Sequence, residues 1–493
     1  MPGAARAKPR IRVAPGELHR ASKRAEQLLA ADGAFFHAGG PITRIVEKAG
    51  GAVVSEQVNE HTLSAVLSSK CDWERRRGNE WVRCDPPGEV VRSVMSRQDR
   101  EHLQMITGLA RQPFFAPDRT LVTASGYNAG TGIYGAFESR DYSLDELTRD
   151  QAETALQYLK WLIKEFPFES KEDRSAALGA MLTAAIRPSL PQAPAFNITA
   201  TRPGSGKSYL AKLIALVAGP GEPHSTSYPS TAEEAAKMVL AMLLEKPATI
   251  LFDDMQTNWK SFGALNRALT SPTTTERLLR SNRTATANTN VLFLGTGNNV
   301  RPERDMRRRV VSIRLAPEDE TPALRSYRSE KPLDHLRKHR TAVVKAALTI
   351  IGAYQAAGEV TEAPALEAFD VWGALCRQPL LWLGERDPAT SLVRQLAEES
   401  QEDGFGDFLD AWHQCFRSDS VTVRKVVDRA EHDQALGDAL AELPVMDGRH
   451  VNPGKLGWYL RNNCGRRANR LELEVGDLKE RKSWKVVSHR PAH

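Results

Sequence analysis

Residues 201–208 read TRPGSGKS, and the last five letters match the end of a phosphate-binding loop. Gly204 and Gly206 let the backbone approach a phosphate closely, and N–H groups at the start of a helix attract negative charge. Lys207 is expected to reach the β- and γ-phosphates, and Ser208 to bind Mg²⁺. The predicted nucleotide-contacting residues run through the loop and into the helix: Thr201, Arg202, Pro203, Gly204, Ser205, Gly206, Lys207, Ser208 and Tyr209.

Thr201 departs from the standard loop, which begins with glycine. This position turns the chain out of the preceding strand, so a small residue is expected to replace glycine at modest cost. Such a motif also occurs by chance, and its meaning depends on the surrounding sequence: the loop has to follow a strand and open a helix.

The segments around the loop alternate between strand and helix. A β-rich run, PAFNITAT, precedes the loop, and an apolar helix follows it and ends at Gly219. A second helix covers 230–245, with Ser230 or Thr231 as its cap. The apolar runs at 248–255 and 289–299 are typical of buried strands. This pattern predicts an α/β fold whose parallel sheet is covered on both faces.

Polar residues end both of those later strands. ILFDD places Asp253 to hold Mg²⁺ through water and Asp254 to polarise an attacking water. GTGNN places Asn298, with Asn299 as second choice, to sense the γ-phosphate. The alternatives are two acids in a strand-terminal turn and ordinary asparagine turn chemistry.

The segment RDMRRRVVSIRL (304–315) places arginines just before another apolar strand. Arg308 and Arg309 are candidates for an arginine finger that neutralises charge on the γ-phosphate held by a neighbouring subunit. The alternative is a DNA-binding or surface patch.

These four pieces, in this order, resemble the AAA+-type superfamily-three helicases of phages and mobile elements, which are related to the poxvirus-type primase–helicases. The resemblance implies an AAA+-type P-loop ATPase core that uses ATP and Mg²⁺ between the subunits of a ring, usually a homohexamer. It also implies translocation along DNA. The expected function is therefore an ATP-dependent DNA helicase in the replication of a phage or integrative element.

Two rival functions stay open at this point. One is an AAA+ initiator or loader that remodels origin DNA without processive unwinding. The other is a regulatory or defence ATPase that does not act on DNA. We find no primase motif in 1–190, so a separate primase or initiator is an expected partner.

The predicted organisation has five segments. They are an N-terminal α/β accessory domain (1–140), a helical linker (141–190), the ATPase domain (191–320), a helical region (321–402) and a C-terminal winged helix (403–493). In the linker, Ser143 is predicted to cap a helix with Glu146 completing a capping box. GFGDF (404–408) is interpreted as a linker, and the sequence beyond it predicts three helices and a two-stranded wing.

Basic residues in two places are candidate DNA contacts. The resemblance implies a hairpin in the ring channel, here 276–290, which directs attention to Lys260, Arg280 and Arg283. In the winged helix, the third predicted helix is the expected recognition helix. The candidates near it are Arg461, Arg466 and Arg467, with Lys455 and Arg470 nearby. The alternatives are ordinary surface charges and, for the winged helix, protein docking.

Composition restricts the setting of the protein. The 493 residues carry a net charge of +6 and include five cysteines. No apolar stretch is long enough to predict a membrane span, and the N-terminus lacks the apolar core of a secretory signal. The scattered cysteines include no CxxC pair, so reduced thiols are expected. Together these features predict a cytoplasmic protein of a bacterial or phage-infected cell.

Overall fold

The computed structural model describes residues 8–48, 51, 53–97, 100–144, 146–277, 284–317, 330–402, 404–448, 450–477 and 482–488. The chain divides into two compact units, Met1–Ser391 and Leu392–His493. The five segments drawn from the sequence stay a prediction. Within the described ranges, no helix combines the length and apolar character that a membrane crossing requires.

The first part of the larger unit consists of short strands and three helices around an apolar core that includes Leu29, Leu63 and Trp73. The elements are β1 (Arg10–Val13), α1 (Leu18–Asp32), β2 (Phe35–His37), β3 (Ile42–Glu47), β4 (Val53–Gln57), α2 (Glu60–Lys70), β5 (Asp72–Arg77), β6 (Glu80–Cys84), α3 (Gly88–Ser96), β7 (Gly108–Ala110), β8 (Phe114–Phe115), β9 (Leu121–Val122), β10 (Gly126–Asn128) and β11 (Ile133–Gly135). One sheet has the order β1-β5-β6 and another the order β2-β3-β4.

Two helices, α4 (Arg149–Leu162) and α5 (Lys171–Ile186), lead to the central sheet. The predicted cap at Ser143 is wrong, because α4 begins later and the Thr148 hydroxyl accepts the Gln151 N–H at 3.4 Å. The intervening Leu147 lies against Gly352, so a tertiary contact holds this stretch outside the helix. Threonine caps as serine does, and packing decided between the two.

The central elements are β12 (Ala195–Ala200), α6 (Lys207–Ala218), β13 (His224–Thr226), α7 (Ala232–Leu244), β14 (Thr249–Met255), α8 (Gly263–Thr270), β15 (Thr273–Arg277), β16 (Thr284–Asn288), β17 (Leu292–Asn298) and β18 (Val310–Leu315). Five of these strands form one parallel sheet with the order β13-β14-β17-β12-β18. All six residues of β12 are buried, which confirms the predicted parallel α/β sheet. Thr231 caps α7, with its hydroxyl accepting the Glu234 N–H at 3.2 Å.

Helical elements follow the sheet. The predicted helix at 331–358 is observed as α9 (Pro332–Ala356), whose backbone is non-helical at His339. It packs against α4 and α6. The later elements are α10 (Asp370–Trp372), a π-helical turn (Gly373–Arg377), α11 (Gln378–Trp382) and α12 (Thr390–Glu402).

The smaller unit has its own apolar core. Its elements are α13 (Phe405–Phe416), α14 (Val423–Ala430), α15 (Gln434–Ala441), β19 (Met446–Asp447), β20 (His450–Val451), α16 (Pro453–Asn462), β21 (Arg467–Ala468), β22 (Leu471–Val475) and β23 (Trp484–Ser488). The three predicted helices and the antiparallel strand pair are present as α14, α15, α16, β22 and β23.

The linker predicted at 404–408 is wrong, because this segment begins a helix. Gly404 takes a left-handed conformation before the first turn. Phe405 and Phe408 are fully buried and share the apolar helix face with Trp412. Gly406 lies inside the helix, where a side chain would collide with Asn469. Its glycine reflects close packing rather than a flexible connection.

Candidate nucleotide-binding site

The strand order brings three chain segments to one edge of the sheet. β17 lies between β14 and β12, and all three strands are parallel, so their carboxyl ends meet. The loop between β12 and α6 leaves this edge. Gly204 and Gly206 have φ values of 73° and 89°, a region that favours glycine. The buried Ser205 hydroxyl donates to the Arg202 carbonyl, which closes the loop on itself.

Thr201 does not share this conformation, because its φ is not positive. The strand before it remains in register up to the loop. Ala200 pairs with Asn298, and the Ala200 carbonyl accepts the Asn299 N–H at 3.0 Å. Threonine therefore fits at the position where the sequence pattern has glycine.

Lys207 points back over the loop toward the next strand. Its ammonium donates to Asn298 Oδ1 at 2.8 Å and lies 3.4 Å from the Arg202 carbonyl. Burial lowers the pKa of Lys207, while the charges of Asp254 and Asp253 oppose that shift. The lysine thus sits between the loop and the acidic strand end, where it is available to an incoming anion.

Ser208 and Asp253 form the second contact across this edge. The Ser208 hydroxyl donates to Asp253 Oδ1 at 2.7 Å, and the Thr296 hydroxyl donates to the same oxygen at 2.6 Å. Thr296 also accepts the Asp254 N–H at 3.0 Å. Asp254 has a φ of 51°, so the chain turns there and leaves the Asp254 side chain exposed.

The oxygen donors of Ser208 and Asp253 fit Mg²⁺, which prefers hard oxygen ligands and usually takes only one or two carboxylates beside phosphate oxygens. No cluster of three or more histidine, cysteine, aspartate or glutamate side chains suited to a metal occurs in the described part of the chain. The residues therefore fit an ion that arrives with phosphates better than one held by protein alone.

Thr296 is the site residue that sequence reasoning missed. It lies inside GTGNN, where threonine is no signal of function because this residue is common in strands. Its hydroxyl connects the two aspartates and is almost fully buried. A threonine preceding a predicted sensor asparagine by two positions shares its strand face, and this spacing could have identified it.

Aromatic rings lie beside the loop. A side chain at Gly206 would come within 3.8 Å of the Phe166 ring. The Phe166 ring is 6.0 Å from that of Tyr209. The Tyr209 hydroxyl accepts the Leu333 N–H of α9 at 3.1 Å, so this predicted nucleotide contact also joins α6 to α9. Phe166 is distant in sequence, and no motif signals it.

Arg308 and Arg309 lie at the amino end of β18, and the phosphate loop lies at the carboxyl ends of the strands. A six-residue strand spans roughly 20 Å, which separates these arginines from the loop at the carboxyl end of β12. Arg308 is half exposed and pairs with Asp305 at 2.9 Å, whereas Arg309 is mostly buried and donates to the Asp305 carbonyl. Of the two, Arg308 is better placed to reach a neighbouring molecule.

The predicted DNA contacts in the larger unit are partly described. β15 and β16 pair antiparallel as the two sides of the expected hairpin. Arg280 and Arg283 lie outside the described residues. Lys260 is exposed, and its carbonyl accepts the Tyr228 hydroxyl at 2.6 Å.

In the smaller unit, the predicted DNA contacts have partners within the unit. Arg461 donates to the Gly457 carbonyl at 3.1 Å. The Arg466 guanidinium lies 4.6 Å from the centre of the Phe405 ring, and Arg467 pairs with Glu472 at 2.6 Å. Arg467 remains 65% exposed despite that pair. Their contact with DNA stays a prediction.

Comparisons with known proteins add a coarse result. No protein-family model and no curated protein matches the sequence. An apo structure of the NrS-1 C-terminal region matches 91% of this chain and 96% of its own, at 9% identity and a TM-score of 0.34. An X-ray structure of JCV helicase matches 52% of this chain and 70% of its own, at 15% identity and a TM-score of 0.21. A JCV helicase bound to a thiazolopyridine-phenoxyphenyl acetamide gives the same TM-score at 13% identity, over 48% of this chain and 69% of its own. At these scores we base the proposed function on the site residues.

Proposed function

We propose that this protein is an Mg²⁺-dependent ATPase that drives DNA unwinding, with its phosphate site at residues 201–208. The observation that carries the proposal is the pair of contacts across the sheet edge, Lys207 with Asn298 at 2.8 Å and Ser208 with Asp253 at 2.7 Å. A cation, a hydroxyl, a carboxylate and an amide thus converge on a glycine-containing loop at the amino end of α6.

Each group suits one part of phosphoryl transfer to water. The loop N–H groups and Lys207 bind phosphate oxygens and neutralise their charge. Ser208 and Asp253 would hold Mg²⁺, which screens charge on the phosphates. Asp254 accepts a hydrogen bond from the attacking water and orients it, and Asn298 contacts the γ-phosphate and that water.

Asp254 suits the role of water-orienting group because of its backbone. The Asp254 side chain is exposed at this turn, whereas the Asp253 carboxylate accepts hydrogen bonds from two hydroxyls. Two neighbouring acids thereby have different surroundings, one fixed for a metal and one accessible to water.

DNA as the partner is supported by the sequence resemblance and by the basic residues beside the predicted hairpin. The ring is supported by the position of Arg308. Arg308 lies at the amino end of β18, whereas the phosphate loop of the same chain lies at the carboxyl ends of the strands. It therefore suits a γ-phosphate on a neighbouring subunit rather than its own.

The test measures ATP hydrolysis with and without forked DNA, together with displacement of a labelled strand. We expect DNA-stimulated hydrolysis and strand displacement by the protein alone. Asp254→Asn should still bind ATP but turn over about 100-fold more slowly. Normal turnover in that variant contradicts the site assignment. Stimulated hydrolysis without displacement favours the loader, and hydrolysis indifferent to DNA favours the regulatory ATPase.

The ring has a separate test. Inactive Arg308→Ala subunits are mixed with inactive Asp254→Asn subunits, so that some interfaces combine an intact Arg308 with an intact Asp254. Recovered hydrolysis in the mixture supports action between subunits. No recovery at any mixing ratio argues against Arg308 as the finger.

A further inference from the structure

A cleft of about 540 Å³ lies between strand β4 and helix α7, and no phosphate-loop residue lines it. One wall is the edge of the β2-β3-β4 sheet, where β4 is an outer strand. The other wall is α7, which contributes Leu240, Ala241 and Leu244. A sheet edge facing an apolar helix surface is the arrangement that accepts an added strand.

The main-chain groups of β4 show which positions are open. In an antiparallel pair, successive residues direct their N–H and C=O alternately toward the partner strand and away from it. The Val58 N–H donates to the Ile42 carbonyl at 2.9 Å, so even-numbered positions face β3. Ser55 and Gln57 therefore face the cleft. The Ser55 N–H donates to the Glu245 carbonyl at 2.8 Å, which closes one end.

Gln57 lies at the open end of this edge. Neither its N–H and C=O nor the Ser55 C=O has a hydrogen-bond partner among the residues that the structure describes. Unpaired edge groups of this kind are templates for another chain. They offer an incoming extended segment one donor and two acceptors, which is enough for a short ladder.

The side chains around the cleft indicate the chemistry of the occupant. Leu240 is almost fully buried, whereas Leu244 is only half-buried, so the exposed part of Leu244 is apolar surface that an incoming apolar side chain can cover. Among the charged lining residues, Lys48 already pairs with Glu56 at 3.7 Å. Arg44 packs its guanidinium over the Phe35 ring at 5.5 Å, and no carboxylate in the described ranges pairs with it. An acidic side chain complements this position.

We propose that the cleft binds an extended acidic peptide of another protein, which adds as a strand to the free edge of β4 through Gln57. Its main chain supplies the missing hydrogen bonds, an apolar side chain covers Leu244, and a carboxylate reaches Arg44. This surface does not depend on the nucleotide site.

The experiment selects binders from a display library of random linear octapeptides on the intact protein. We expect enriched sequences that combine acidic and β-branched residues. A representative peptide is then synthesised with a fluorescent label and titrated by anisotropy. Its binding should protect the 53–59 segment from hydrogen exchange. Failure to enrich any sequence overturns the proposal.

Variants and modified peptides identify the mode of binding. Ala241→Arg places a long side chain in the cleft and should weaken binding at least about tenfold, while Ala232→Arg, on the same helix but outside the cleft, should not. N-methylation at the peptide's central residues should cost about tenfold, because it removes ladder hydrogen bonds. Unchanged melting of both variants shows that they fold. Equal affinity for the N-methylated peptide, or for Ala241→Arg, rejects strand addition.

Arg44→Gln tests the charge preference. It should weaken the acidic peptide about fivefold and leave a neutral analogue unaffected. If the neutral analogue loses as much, Arg44 does not recognise a carboxylate and the acidic part of the proposal is wrong.

Discussion

The two ends of helix α6 differ in the groups that contact their unpaired backbone N–H and C=O groups. Every helix leaves N–H groups without intrahelical partners at its amino end and carbonyls without them at its carboxyl end. At the amino end of α6, Lys207 and Ser208 face an accessible loop. At the carboxyl end, Arg340 of α9 donates to the carbonyls of Leu216 at 2.8 Å and Val217 at 2.9 Å.

The difference lies in what completes each end. Arg340 is half-buried and also donates to Gln112 and to the Tyr142 hydroxyl, so protein groups complete the carboxyl end. Its neighbour Arg111 is buried, and burial lowers the pKa of Arg111 to about 9. At the amino end, the proposed acceptors for the loop N–H groups are the phosphate oxygens of ATP. The carboxyl end of α6 is therefore closed, that is, capped by protein side chains, and its amino end is open to solvent.

The largest expected effect is at the open end. Lys207→Ala removes the cation that neutralises the phosphates, so ATP hydrolysis should fall about 10³-fold, or about 4 kcal/mol. A steady-state phosphate-release assay measures it. Lys212→Ala, on the same helix, should retain activity. Comparable rates of ATP hydrolysis for Lys207→Ala and the native protein would contradict a role for the amino end of α6 in catalysis.

The closed end should affect stability instead. Arg340→Met leaves buried carbonyls at the end of α6 without donors, which should lower the free energy of unfolding by about 3 kcal/mol. This loss exceeds the relief of repulsion with Arg111, because several hydrogen bonds disappear at once. Denaturant unfolding followed by circular dichroism measures it. Arg337→Met, an exposed change on α9, should cost less than about 1 kcal/mol. Equal losses in the two variants would contradict a capping role.

A third cation near this closed end gives a pH-dependent effect. Burial lowers the pKa of Lys246 to about 8, mainly by desolvation, with Arg111 adding repulsion. Below that pH the buried ammonium destabilises the fold. Between about pH 8 and 10.4 the unfolded chain holds a proton that the folded chain has lost, so stability rises with pH.

Lys246→Met should therefore be more stable than the native protein by about 2 kcal/mol at pH 7. The advantage should shrink as the pH rises to 10, because Lys246 then loses its proton in the folded native protein. Unfolding midpoints across this range measure the effect, and Lys237→Met is the exposed control. A difference that does not change with pH would show that Lys246 keeps its proton in the folded state.

The smallest effect is expected at Thr201. Since this residue avoids the left-handed region, Thr201→Gly should restore the standard motif with less than about a threefold change in KM for ATP and a stability loss of a few tenths of a kcal/mol. Nucleotide titration and thermal melting measure the two quantities. A tenfold gain in affinity would show that threonine impairs the loop.

Local patterns in the sequence predicted much of the α6 region. The strand before the loop, the helix ending at Gly219, the cap at Ser230 or Thr231 and the acidic strand end all follow from neighbouring residues. These features depend on backbone preferences and apolar periodicity, which act over a few residues. Capping at Ser143 and the linker at 404–408 failed because distant side chains, Leu147 against Gly352 and Phe405 in its core, decided them.

By itself, the sequence determined which chemical groups are present and where each lies along the chain: a glycine loop with its lysine, paired aspartates and paired asparagines. Only the tertiary structure decided that β17 lies between the other two strands, so that Thr296 joins the aspartates and Asn298 meets Lys207. The same holds for Arg340, which caps the carboxyl end of α6 although it lies more than a hundred residues away in the sequence. Strand order and such contacts depend on packing between distant segments, and no local pattern encodes them.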